Sequence, residues 1–106
     1  MGLATVTPTE YGYYVTGDTD TTPIWADDSR KYIQGVVFCP GTAADTVLLA
    51  NQNRPGGTFT NFWTDTSDGV VGASQELIMD GNVPATNLRV KFSNGGGKIY
   101  IYLRSR

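Results

Sequence analysis

The stretch Leu88-Arg89-Val90-Lys91-Phe92-Ser93-Asn94-Gly95-Gly96-Gly97-Lys98-Ile99-Tyr100-Ile101-Tyr102-Leu103-Arg104 decides the fold class. Before the glycine run, Leu88, Val90 and Phe92 alternate with Arg89, Lys91 and Ser93. After it, Ile99, Ile101 and Leu103 alternate with Tyr100, Tyr102 and Arg104. A period of two belongs to strands that bury one face. The Asn94–Gly97 loop offers the positive φ that tight turns need, so the stretch predicts a terminal β-hairpin. Pairing Ser93 with Lys98 sets Phe92 opposite Ile99, Val90 opposite Ile101 and Leu88 opposite Leu103, all six turned to the core. A slip of one residue would bury Arg89 and Lys91, so burial fixes the register.

The same register puts Lys91 beside Tyr100 and Arg89 beside Tyr102 on the outer face, with Arg104 next along. Tyrosine and arginine are enriched where interfaces concentrate their energy. Arg or Lys over an aromatic face contributes about 0.5–2 kcal/mol, depending on solvation. The set reads as a partner-contact surface. It reads equally as a solvated strand face with ordinary cross-strand pairs worth about 0.2–1 kcal/mol each. Single-stranded nucleic acid also uses aromatics and cations, but the acidic remainder of the chain argues against it.

Upstream, Tyr32–Cys39 has apolar residues on both faces toward its end, as a central strand would. Pro40-Gly41 turns it, and Asp45–Ala50 is the next strand. Asn53–Gly57 leads into Thr58–Trp63, a loop covers Asp65–Gly69, and a strand covers about Ser74–Met79. Asp80-Gly81-Asn82 is expected to break that strand. No window keeps a helical period beyond two turns. Residues 1–29 read as an extended arm with one or two strands, packed on the domain or on a neighbour, and residues 30–106 as the body. Fourteen threonines, thirteen glycines and turn signals every 8–15 residues complete the expectation. It is a single all-β domain, an antiparallel β-sandwich of jelly-roll-like or immunoglobulin-like form.

Two tyrosines of the arm, Tyr11 and Tyr13, share one face by alternation while Tyr14 joins the other. Tyr11, Tyr13 and Tyr14 are a second candidate contact surface or a sugar-stacking platform, against a plain reading in which one face is core and the other covers it. Trp25 and Trp63 read as core or rim anchors, and Cys39 as a small buried apolar residue.

The chain has 106 residues and no histidine, which excludes Ser-His-Asp and Cys-His nucleophile pairs and histidine-bound zinc. One cysteine excludes an internal disulfide and fits synthesis in a reducing cytoplasm. Asp18–Thr22 opens like a calcium loop, but Pro23 and Ser29 stand where glycine and glutamate are required. Gly95–Lys98 is followed by Ile99 where a phosphate loop needs Ser or Thr. No catalytic constellation, metal site or cofactor is expected, and no enzyme activity. Neither a signal sequence nor a membrane-spanning run is recognisable, so no membrane partner is expected. The net charge is −2. All ten acids lie in residues 1–80, and residues 81–106 carry five cations and no acid. Such asymmetry can draw one copy to another or to a larger oppositely charged surface.

The segment Tyr32-Ile-Gln-Gly-Val-Val-Phe-Cys-Pro-Gly-Thr-Ala-Ala-Asp-Thr-Val-Leu-Leu, with the later Thr86-Asn-Leu-Arg-Val-Lys-Phe-Ser-Asn-Gly-Gly-Gly-Lys-Ile-Tyr-Ile-Tyr-Leu, resembles small β-sandwich virion proteins of tailed bacteriophages. In that pattern a strand ending in Pro-Gly leads through a turn with Asp into an apolar strand, and a Gly-tipped terminal hairpin closes the domain. The resemblance covers residues 31–106. It implies a capsid decoration (cement) protein on the outside of the virion, with the major capsid protein and its own copies as partners, a trimer favoured. Neither catalytic nor contact residues carry over. From the residues themselves, the contact candidates are Arg89, Lys91, Tyr100, Tyr102, Arg104, Tyr11 and Tyr13. A carbohydrate- or receptor-binding module of a fibre or tail is the alternative, and a tail or connector component the third.

Overall fold

The computed structural model describes residues 2–41, 45–52, 54–67, 75–94 (the backbone alone at 75–82) and 96–104. Eight strands run through them: β1 (Thr5–Thr9), β2 (Gly12–Thr16), β3 (Thr22–Pro23), β4 (Arg30–Cys39), β5 (Thr46–Gln52), β6 (Phe59–Thr66), β7 (Gln75–Phe92) and β8 (Lys98–Leu103). There is no helix among the described residues. All pairings between strands are antiparallel, in the order β1-β2-β8-β4-β7-β5-β6, with β3 added beside β7.

The eighteen-residue β7 is the hinge of the architecture. Its first part pairs with β4 and its last part with β5, so the sheet turns over on itself and closes a sandwich. One layer is β1-β2-β8-β4 and the start of β7. The other is the end of β7 with β3, β5 and β6. Phe38 of the first layer meets Phe92 of the second at 6.4 Å between ring centroids. Around that contact lie Val15, Ile33, Val36, Val47, Leu49, Leu88, Val90, Ile99 and Ile101, all essentially without solvent exposure. Burial on this scale stabilises by about 25 cal/mol per Å² of apolar surface.

The alternation in the terminal stretch identifies the buried side chains, and these residues are the core, with Leu103 half-buried. The hairpin itself does not form. β8 pairs with β2 and β4, setting Phe38 opposite Ile99 and Val36 opposite Ile101, while Phe92 and Val90 lie opposite Val47 and Leu49. The period of two specifies which side of a strand is buried, and several apolar strands can satisfy that side equally well. The connection after β7 instead carries the chain from one layer to the other. The carboxylate of buried Asp45 holds it, accepting hydrogen bonds from the Asn94 N–H at 3.2 Å, the Ser93 hydroxyl at 3.3 Å and the Gly41 N–H at 3.1 Å.

Residues 80–82 do not end a strand, contrary to expectation. β7 runs through them, but its ladder with β4 skips from Ile78 to Val83 while β4 advances only from Gly35 to Ile33. The breaker residues are accommodated in a wide bulge. β4 is central, between β8 and β7, as its sequence predicts. The expected loop at 65–69 begins beyond β6, and its residues 68 and 69 lie outside the described set. Residues 1–29 hold three strands where one or two were expected, β1 and β2 forming an edge hairpin of the first layer.

Candidate functional site

Because β8 pairs between β2 and β4, the outward residues of these three strands form one face. Tyr14 on β2 lies opposite Tyr100 on β8, and their rings stack at 4.6 Å. Tyr102 follows Tyr100 along β8, with centroids 6.5 Å apart and planes within 12°. Its cross-strand neighbours are Gly12 on one side and Gly35 on the other, so no side chain from either position covers the ring. Gly12 has φ +155° and a Cβ there would run into the Ile101 carbonyl, which requires glycine at this place. Beyond Tyr102, the Arg104 guanidinium lies 4.6 Å over the ring of Tyr32, and the Arg104 N–H donates to the Tyr32 carbonyl. Thr5, Thr7 and Thr9 of β1 extend the face with hydroxyls. Tyr100, Tyr102 and Tyr32 are 36–39% exposed.

Arg89 and Lys91 are elsewhere. They stand on β7 opposite Ala50 and Leu48, on the outer side of the other layer. The expected neighbours Arg89 with Tyr102 and Lys91 with Tyr100 are therefore not brought together. Arg89 has its guanidinium 3.4 Å over the Phe59 ring. Together with Pro23, Trp25, Ala26, Gln52 and Asn87 the two line a depression of about 160 Å³. An arginine held flat on an aromatic ring loses little further freedom when a partner arrives.

Tyr11 and Tyr13 also separate. Tyr11 lies in the turn between β1 and β2 and is 65% exposed. Tyr13 turns inward and stacks on Trp25 at 5.6 Å. Burial raises the Tyr13 phenol above its ordinary value, and the nearby Asp27 carboxylate adds to this. Asp27 is itself held low, first by the Ser29 hydroxyl and then by the Ser29 N–H. Trp25 is an anchor as expected, buried, with its indole N–H donating to the Ser29 carbonyl. Trp63 is half-buried against the core and Cys39 half-buried at the end of β4.

Tyr14, a candidate from the arm, is part of the tyrosine face, and Tyr32, Arg30, Gly12 and Gly35 join it without having been singled out in the sequence. Tyr14 faces outward while its neighbour Val15 is buried, as alternation along β2 implies. The others depend on knowing that β8 lies between β2 and β4.

No protein-family model matches the chain, and no curated protein is similar to it in sequence. Among the described residues no group of three or more Cys, Asp or Glu side chains is placed to hold a metal ion. The two outer faces differ in chemistry. The tyrosine face is ringed with hydroxyls and cations, which suits a polar, hydrated ligand. The opposite face sets a stacked arginine among half-buried Leu48, Ala50 and Phe59, which suits the drier centre of a protein contact.

Proposed function

We propose that the chain is a structural virion protein of the decoration (cement) type, which binds the assembled capsid of a tailed phage and stabilises it by bridging subunits. The observation that supports this most is Arg89, fixed on Phe59 on the outer face of its layer beside Leu48, Ala50 and exposed Lys91. Arginine is among the side chains enriched at interface hot spots, and its position on Phe59 orders it before a partner arrives. That face seats on the major capsid protein. Tyr11, at the tip of the edge hairpin, reaches the neighbouring subunit or another copy of the chain, in a trimer.

Binding only the assembled lattice stabilises that state by mass action, about 2.7 kcal/mol per site at a hundredfold excess over Kd. The test is the melting temperature of assembled shells, made without the protein and then saturated with it. Wild type raises it. Arg89→Ala with Lys91→Ala binds the shells about tenfold more weakly, the equivalent of one interface side chain. Shells that melt at the same temperature with and without wild type overturn the reading.

A further inference from the structure

The tyrosine face ends in a cleft of about 610 Å³ lined by Ser29, Arg30, Lys31, Tyr32, Leu103 and Arg104. Half of the lining residues are cations and none is an acid. Lys31 is already engaged, its ammonium 5.6 Å over Trp25 and beside Asp27, whose carboxylate takes both Ser29 donors. Arg30 and Arg104 are exposed, and Arg104 is held by its stack on Tyr32. On the side toward Tyr100 stands Tyr102, its flanks left open by Gly12 and Gly35. The site thus joins two guanidinium groups to an uncovered aromatic ring and a border of threonine hydroxyls.

We propose that this cleft and the tyrosines beside it bind an acidic polysaccharide. A uronate carboxylate pairs with Arg30 and Arg104, whose planar forks match carboxylate geometry. The apolar face of the adjacent sugar ring lies on Tyr102, directing its C–H bonds at the negative face of the phenol ring. The hydroxyls of Thr7 and Thr9 border the path of the chain. Charge complementarity chooses the anionic class of glycan. Nucleic acid is a polyanion too, and what favours the uronate chain over it is the threonine row, whose hydroxyls both donate to and accept from sugar hydroxyls. The inference goes beyond shell binding and uses the opposite face, and soluble polysaccharides test it without any shell.

The experiment is calorimetric titration of the purified protein with polygalacturonate, with neutral dextran and with oligo-dT. Polygalacturonate binds saturably and more weakly as salt rises, while dextran and oligo-dT bind at least about tenfold more weakly. Tyr102→Ala and Arg104→Gln, both at exposed positions, each weaken polygalacturonate binding about tenfold. Arg54→Gln removes a cation from the turn between β5 and β6 and leaves binding unchanged. Three results overturn the proposal: no saturable binding of polygalacturonate, oligo-dT bound as tightly as polygalacturonate, or Arg54→Gln weakening binding as much as Arg104→Gln.

Discussion

Asp28 and Asn87, far apart in the chain, hold each other in the left-handed backbone region, at φ 65° and 52°. The Asp28 N–H donates to Asn87 Oδ1 and the Asn87 Nδ2 donates to Asp28 Oδ1, both at 2.8 Å. Asn87 Nδ2 donates also to Gln52 Oε1 at 2.7 Å, and Gln52 Nε2 to the Gly57 carbonyl. One buried amide thus ties the segment before β4 to β7, to the end of β5 and to the turn after it. It sits where the β5–β7 ladder skips from Ala50–Arg89 to Gln52–Thr86.

Asn87→Ala should therefore destabilise the domain by about 2–4 kcal/mol, because buried partners are left unmatched. Asn87→Gly loses the same bonds but relaxes the backbone, and should be about 1 kcal/mol milder than alanine. Urea unfolding of the two variants measures the difference. Equal midpoints would show that the left-handed backbone stores no strain.

Asp45 and Gly97 form the second lock, at the opposite end of the sandwich. A Cβ on Gly97 would stand 2.5 Å from Asp45 Oδ2 and 3.0 Å from the Phe92 ring. Gly97→Ala should cost about 1–3 kcal/mol by overpacking. Asp45→Ala, which orphans the Gly41 and Asn94 N–H groups, should cost about 2–4 kcal/mol. Removing the carboxylate makes room for the methyl group, so the double variant should fall short of the sum by about 0.5 kcal/mol or more. Strict additivity in a double-mutant cycle would count against this packing.

These two locks mark what the sequence could and could not disclose. Leu88, Val90, Phe92, Ile99 and Ile101 are legible as core from their period alone, and with them the all-β class. Which strand each joins depends on competition among several equally apolar rows. Asp45, Gly97 and the crossing they control are distant in sequence from the strands they arrange. The glycine run reads as a hairpin tip because local chemistry is identical for a tight turn and for a close approach. The contact surface inherits that ambiguity: its side chains face outward as expected, but topology divides Arg89 from Tyr102.

Tyr13 makes stability sensitive to alkaline pH. Its phenol is raised by burial and by Asp27, so the folded state holds the proton more tightly than the unfolded chain. The resulting stabilisation is complete below the ordinary tyrosine value of 10.0 and is lost as pH rises through the folded value. Tyr13→Phe keeps the stack on Trp25 and should flatten the fall in stability above that value. Denaturant midpoints of both proteins across this range provide the check, and an unchanged slope would exclude Tyr13 as the source.

Arg89 should not be replaceable by lysine. An ammonium lacks the flat face that lies on Phe59, so Arg89→Lys keeps the charge and gives up the pre-ordered stack. Shell affinity should fall about tenfold, mainly through faster dissociation. Surface plasmon resonance on immobilised shells separates the two rates, and an unchanged dissociation rate would remove Arg89 from the contact.

The most direct test of the cementing role is co-sedimentation of the purified protein with assembled shells, beside unassembled capsid subunits at matched concentration. Saturable, stoichiometric binding to the shells and none to the free subunits is expected. Equal binding to both, or no binding to the shells, would contradict the cementing role.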